Sequence, residues 1–197
     1  MKKVFEIRDK ETINAFLDST EYGTLALCCD NKPYSVPINF VRVKETIYFH
    51  GAKKGRKIEI LKKNAFASFS VVKAHALIPS FFSSDEGLAC PATQFFQSLI
   101  IEGHIAFVDA YEEKTSTLTA LMRKLQPEGQ YKHFDDKAYE SAIHATTIYK
   151  LITKESCAKY KFGQHLSQER FDKILSHLQK RNNPLDVETI KQMKEYT

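Results

Sequence analysis

The stretch Ser35–Lys63, SVPINFVRVKETIYFHGAKKGRKIEILKK, constrains the fold most. Two β segments run into a basic turn with two glycines, and a helical segment follows. Val36, Ile38, Phe40 and Arg42, with Val41 and Val43 between them, predict one strand with two different faces. Lys44-Glu45 makes a tight connection, and Thr46-Ile47-Tyr48-Phe49-His50 is β-branched and aromatic enough for the return strand. Gly51-Ala52-Lys53-Lys54-Gly55-Arg56-Lys57 then leads into Ile58–Lys63, a run compatible with a helix. The glycines allow close backbone approach, amides at a helix start point outward, and four cations surround them. This pattern suits a phosphate group, yet it is not a nucleotide P-loop.

The rest of the chain bounds the class. At 197 residues it fits one compact domain, here taken as 1–197 with 161–197 as a helical extension. A 43% hydrophobic and 27% charged composition excludes wholesale disorder. The net charge of +5 is spread along the chain rather than massed in a nucleic-acid-binding tract. No run reaches transmembrane length, and the polar start MKKVFEIRDKET lacks the apolar core of a signal peptide, so a cytoplasmic protein is expected. Cys28, Cys29, Cys90 and Cys157 match neither a disulfide framework nor a paired zinc site and read as reduced thiols.

Along the chain, Asp9 caps a predicted helix to Ser19, and Thr24–Cys29 is a strand ended by the turn signal Asp30-Asn31-Lys32-Pro33. Ala65–Val72 is a further strand. Lys73–Thr93, with Pro79, Gly87 and Pro91, is expected to be an irregular connection. Gln94–Val108 returns to strand character, with a bulge or bend expected at Gly103. Glu112–Leu125 is a helix stopped by Pro127, and Ala142–Thr153 is the last strand. Ser167–Lys180 and Asp186–Glu195 are amphipathic helices joined at Arg181-Asn182-Asn183-Pro184. About six strands with short connections, and no regular alternation with long helices, predict a mainly β fold, a small barrel rather than a βαβ sheet.

An ordered set of segments resembles the FMN-binding split-barrel superfamily, which includes pyridoxamine-phosphate oxidase, and within it the nitroimidazole-reductase-like branch. The set is Tyr22-Gly23-Thr24-Leu25, Pro37-Ile38-Asn39-Phe40, Ile47–Ala52 with Gly55 and Lys57, Cys90, Ser98–Gly103, Glu112-Glu113-Lys114 and Lys161–Ser167. The resemblance implies a split β-barrel with peripheral helices and a helical C-terminal tail. It also implies a homodimer holding FMN in clefts between subunits. By the same analogy Pro37, Ile38 and Asn39 lie along the flavin ring, His50, Gly51, Ala52, Gly55 and Lys57 hold the phosphate end, and Ser98 reaches it from a neighbouring strand. The arginine-rich substrate-phosphate pattern of a true pyridoxamine-phosphate oxidase is missing, so vitamin B6 oxidation is not assigned.

Each residue also has a plainer reading. His50 could be a structural histidine at a strand end, Lys57 part of a solvated helix face, and Ser98 a packing residue. Asn39, polar within an apolar strand, needs a partner: a ring edge of the cofactor, which is preferred, or a neighbouring carbonyl. Cys90 reads as a small loop residue before it reads as a reactive thiol. No histidine spacing suits a metal, no nucleophile elbow is present, and no catalytic side chain stands out, so redox chemistry supplied by a cofactor fits better than side-chain catalysis. The leading expectation is an FMN-dependent oxidoreductase passing electrons from NAD(P)H to a small organic acceptor. A non-catalytic flavin- or haem-binding sensor or store is the second, and a basic nucleic-acid module a distant third.

Overall fold

The structure is a computed structural model and describes residues 2–196. In chain order its elements are β1 (Glu6–Ile7), α1 (Lys10–Ser19), β2 (Tyr22–Cys29), β3 (Lys32–Asn39), β4 (Val41–Val43), β5 (Thr46–Gly51), α2 (Arg56–Lys63) and β6 (Phe66–Ile78). They continue with β7 (Thr93–Val108), α3 (Tyr111–Leu125), α4 (Glu140–Ala145), β8 (Thr147–Lys161), α5 (Gln168–Arg181) and α6 (Pro184–Glu195). The sheet runs β3-β2-β6-β7-β8-β5-β4, with β1 paired to β8. The chain divides into two compact units, one of residues 1–8, 72–99 and 158–197, the other of residues 9–71 and 100–157. Among the described residues no helix is long and apolar enough to cross a membrane.

In the 9–71/100–157 unit, Asp9 caps α1 by accepting from Thr12 N at 2.7 Å, and the helix buries Phe16 and Leu17. Asp30 and Asn31 take left-handed backbone angles, the geometry a two-residue hairpin turn requires, and this sets the β2–β3 register of Cys29 against Lys32. The single strand expected through Val43 is broken in two. Phe40 and Val41 are consecutive and both buried, which period-two alternation on one face cannot achieve. The chain kinks there, so that β3 pairs with β2 while β4 pairs with β5 across the left-handed Lys44. Leu25, Phe40, Phe49, Phe69, Ile105 and Leu151 form the centre of this core, with Phe40 edge-on to Phe69 at 5.1 Å.

Two expectations fail in the second half of this unit. Gly103 makes no bulge: burial alternates through Ile101, Gly103 and Ile105, and the phase slips only between Ile105 and Val108. The glycine serves backbone proximity instead, since a Cβ there would lie 2.1 Å from Ile152 O. The expected strand Ala142–Thr153 begins late and ends late. Glu140–Ala145 is a helix burying Ile143, and β8 starts at Thr147 and runs on through the exposed stretch Ile152–Cys157. That stretch, ITKESC, carries too few apolar residues to announce a strand.

In the other unit the expected irregular connection is shorter than 73–93. β6 continues to Ile78, burying His75, Ala76 and Ile78, and only residues 79–92 form a connection, with a single 3₁₀ turn at Ser80–Phe82. Left-handed Asn182 ends α5, and Asn183 and Asp186 form a capping box at the start of α6. Polar clamps hold α6: Lys73 to Glu188 at 2.6 Å, Ala76 N to Thr189 Oγ1 at 3.0 Å, and Gln97 to Gln192 at 3.1 Å. Asp186 is fully buried and accepts from Arg181 through both oxygens, at 2.8 and 2.5 Å.

Arg181 therefore holds the Asp186 carboxyl below its usual value of 3.8. A depressed carboxylate stabilises the fold above its unfolded value, and that contribution is lost as pH falls through the folded one. Asp186→Asn is expected to cost about 3 kcal/mol at pH 7, because it leaves the Arg181 guanidinium without its counter-charge, with only Leu77 O to receive it. Urea melts at pH 7 and at successively lower pH check this: the gap between wild type and variant should begin to narrow only below 3.8.

Candidate functional site

The turn between β5 and α2 belongs wholly to the 9–71/100–157 unit. β5 pairs with β8 so that Phe49 faces Tyr149, His50 faces Ile148 and Gly51 faces Thr147. Phe49 and Tyr149 are fully buried and stack at 5.0 Å, 13° from parallel. The Tyr149 hydroxyl donates to Ala52 O at 3.3 Å and so ties the start of the turn to β8. Burial pushes that phenol up to about 12, so it stays a donor at any physiological pH. Gly55 then adopts φ 121° and acts as the N-cap of α2, whose first bonds run from Ile58 N and Glu59 N back to Gly55 O. The amides of Arg56 and Lys57 precede those bonds and have no intrahelical acceptor. A Cβ at Gly55 would meet nothing within 4 Å, so the turn opens onto free space.

Lys57 folds back over this platform. Its Nζ lies 4.8 Å from the Tyr149 ring centroid and 5.5 Å from that of Phe49. It also sits above Gly51, where a Cβ would come within 2.7 Å of it, so only glycine leaves the ammonium room. Lys57 is half-buried, and among the described residues no carboxylate pairs with it. Burial lowers its affinity for the proton, as expected of a cation with two aromatic faces and no counter-ion. His50 is exposed; the surrounding protein first, and the Lys57 charge second, hold its imidazole below the usual histidine range. Lys53, Lys54 and Arg56 are exposed, with the Arg56 guanidinium 4.8 Å over the Tyr34 ring. Lys63, by contrast, is paired with Asp30 at 3.4 Å. Next to the helix, a recess of about 190 Å³ takes Arg56, Glu59 and Lys63 but not Lys57. The unpaired cation therefore lies outside this recess.

Pro37, Ile38 and Asn39 are on β3, at an edge of the sheet. Pro37 and Asn39 share one exposed face and Ile38 takes the other, so the three side chains cannot all meet one ligand. Proline on an edge strand takes positions whose N–H would point off the ladder, and Pro33 and Pro37 are four residues apart with the same parity. The backbone groups of residues 37 and 39 then point outward, where a planar ligand edge could meet them. Asn39 Nδ2 donates to Glu21 O at 3.1 Å, a carbonyl just before β2. Ser98 belongs to the other unit, and its hydroxyl donates to Lys159 O at 3.4 Å.

The structure thus groups His50, Gly51, Ala52, Gly55 and Lys57 in one turn. Sequence reasoning missed Phe49 and Tyr149 as the floor under Lys57. An aromatic in an apolar strand reads as core, and only the β5–β8 register reveals their stacking. It also missed the role of Glu113, which accepts from the Tyr48 hydroxyl at 3.0 Å and from Lys150 at 2.9 Å and so fastens α3 to β5 and β8.

No curated protein matches the chain in sequence. Solved structures do match in fold. A Bacteroides thetaiotaomicron protein described as a candidate 5-nitroimidazole antibiotic resistance protein superposes with a TM-score of 0.64 at 22% identity, over 78% of this chain and 85% of its own. An FAD- and heme-binding protein of Mycobacterium smegmatis gives 0.64 at 22%, over 79% and 73%. A flavocytochrome of Azotobacter vinelandii gives 0.66 at 20%, over 87% and 78%. At such identities the likeness speaks for the fold, which is mainly β, a split barrel with peripheral and C-terminal helices. The sequence model of the pyridoxamine 5'-phosphate oxidase family matches residues 9–159, most of the chain, which therefore belongs to that family.

Proposed function

We propose that the chain binds FMN, with its phosphate at the β5–α2 turn, and works as an oxidoreductase that takes electrons from NAD(P)H to a small organic acceptor. The observation that carries this reading is Lys57, a half-buried ammonium with no carboxylate partner, beside two helix-start amides and an open glycine. A dianionic phosphate supplies the missing counter-charge, and charge-assisted bonds to it are the strong ones. His50 adds a ring N–H from the end of β5, and the outward backbone of β3 offers a rail for the ring. Bound FMN would supply hydride transfer; the protein's part is to hold the phosphate, orient the ring and shield it.

A homodimer belongs to the same reading. Phe66 on β6, Ile100 on β7 and Ile152 on β8 are 37%, 46% and 53% exposed, on strands adjacent in the sheet. Large apolar residues left exposed on adjacent strands favour a covering partner. A second copy would also wall the flavin that a single chain leaves open.

The test starts from the visible spectrum of the purified protein, the mass of the flavin it releases, and anaerobic addition of NADH or NADPH. Bleaching of a flavin band, with FMN as the released species, is the expected result. A band that neither nucleotide bleaches favours a flavin store or sensor. A colourless protein that also fails to take up added FMN removes the reading.

A further inference from the structure

The 1–8/72–99/158–197 unit contains a cavity of about 480 Å³ whose lining is strongly polar. Lys161 from the end of β8, His165 from the connection after it and Arg170 from the first turn of α5 all contribute, and none of the lining residues is acidic. Among the described residues no carboxylate lies within ion-pair distance of Lys161 or Arg170. Lys161 Nζ donates to Thr93 Oγ1, and Arg170 reaches Ser83 Oγ only at 3.5 Å, the outer limit of a hydrogen bond. The guanidinium fork is thus almost unspent. The cations also repel one another: burial holds the His165 imidazole low, and the charges of Lys161, Lys2 and Arg170 add to that. Lys161 is likewise pushed down by burial first and by Lys159 and Lys2 next. Glu86 lines an adjoining recess together with Arg170, and Glu169 sits in the first turn of α5 without lining the cavity.

Two basic side chains on one cavity, with no carboxylate lining it, favour an external counter-ion. The volume falls in the range of small-molecule sites and is larger than an inorganic anion needs. Leu166 and Ile174 supply an apolar patch for an organic body, and Arg170 presents the planar fork that matches a carboxylate or phosphate. The geometry points to a second ligand site, separate from the β5–α2 turn, that takes a small organic anion by its carboxylate or phosphate head. Because it uses residues of one unit only, it stands whether or not the chain binds flavin.

Cys90 also lines the cavity and its thiol is exposed, which gives the site a reporter; Cys28 and Cys157 are exposed elsewhere and serve as internal references. Iodoacetamide labelling would be followed peptide by peptide, with phenyl phosphate, benzoate or inorganic phosphate added at matched ionic strength. The expected result is slower labelling of Cys90 alone, by about ten-fold at nine times the dissociation constant. Phenyl phosphate or benzoate should protect at lower concentration than inorganic phosphate. Arg170→Gln and Lys161→Gln should lose the protection, while Lys57→Ala should keep it. Arg170 is exposed, so its variant is expected to fold. Unchanged Cys90 labelling with all three probes overturns the proposal. So does protection that survives Arg170→Gln, or an organic probe no better than inorganic phosphate.

Discussion

Lys57→Ala is expected to weaken FMN binding by about 10- to 100-fold, roughly 1.4–2.8 kcal/mol, as read by quenching of flavin fluorescence on titration. Lys63→Ala should leave the affinity within about two-fold, because Lys63 is exposed and already paired with Asp30. The two substitutions remove the same charge from the same helix, so a difference between them reports position rather than net charge. Equal affinities in both variants would take Lys57 out of the site.

The apo-protein should respond in the opposite sense. Burial lowers the proton affinity of Lys57 in the folded chain, so its charged form is a burden there. For a base with a depressed folded pKa, the unfolded state binds more protons in the window between the folded value and the ordinary 10.5, and stability rises with pH across that window. Lys57→Met keeps the aliphatic stem over Phe49 and Tyr149 and removes the burden. It is expected to hold or raise apo stability below that window while losing FMN. A lysine that merely packed would lose stability and binding together, so the two readouts separate a ligand contact from a structural role. Gly51→Ala offers an independent check, since its methyl would press on Nζ from 2.7 Å and displace the ammonium without removing it.

How much of this was legible in the sequence depended on how local each signal was. The β5–α2 turn was readable because glycine, lysine and the end of an aromatic strand follow one another directly. The Asp9 cap and the Asn182-Asn183-Pro184 junction were readable for the same reason, since each needs only its neighbours. What escaped depended on contacts distant in sequence. The kink at Phe40 follows from β3 and β4 taking different partners, which no pattern within residues 36–43 could reveal. β8 runs through Lys154-Glu155-Ser156 beside β7, although its side chains look like a loop. The floor of the site, Phe49 on Tyr149, spans 100 positions of sequence and was invisible for that reason. Gly103 was noticed, but a bulge or bend was inferred where the neighbouring strand demanded room.

That demand gives the largest stability effect expected of any single substitution considered. Gly103→Ala should cost about 3 kcal/mol or more, a large share of the marginal stability of an ordinary domain. The added Cβ would stand 2.1 Å from Ile152 O, 2.9 Å from Ile152 C and 3.2 Å from Lys154 N. All three are backbone atoms of β8, so no rotamer change relieves the clash, and one strand must move. Gly23→Ala makes a useful contrast: only one backbone atom, Ser70 O at 2.9 Å, opposes its Cβ, and the other neighbour is the buried Phe69 ring, which must shift against Phe40, so a somewhat smaller loss is expected. Gly129→Ala meets nothing within 4 Å, but its φ of 70° disfavours a side chain, and about 1 kcal/mol is expected there. Urea melts of the three variants should rank in that order, Gly103 worst. The Gly103 variant should also hold FMN poorly in whatever fraction folds, because β8 carries Tyr149 and a shifted β8 carries the platform of Lys57 with it. A Gly103→Ala protein as stable as the wild type would mean that β7 and β8 lie further apart at this point, and that the floor beneath Lys57 is not held from this side.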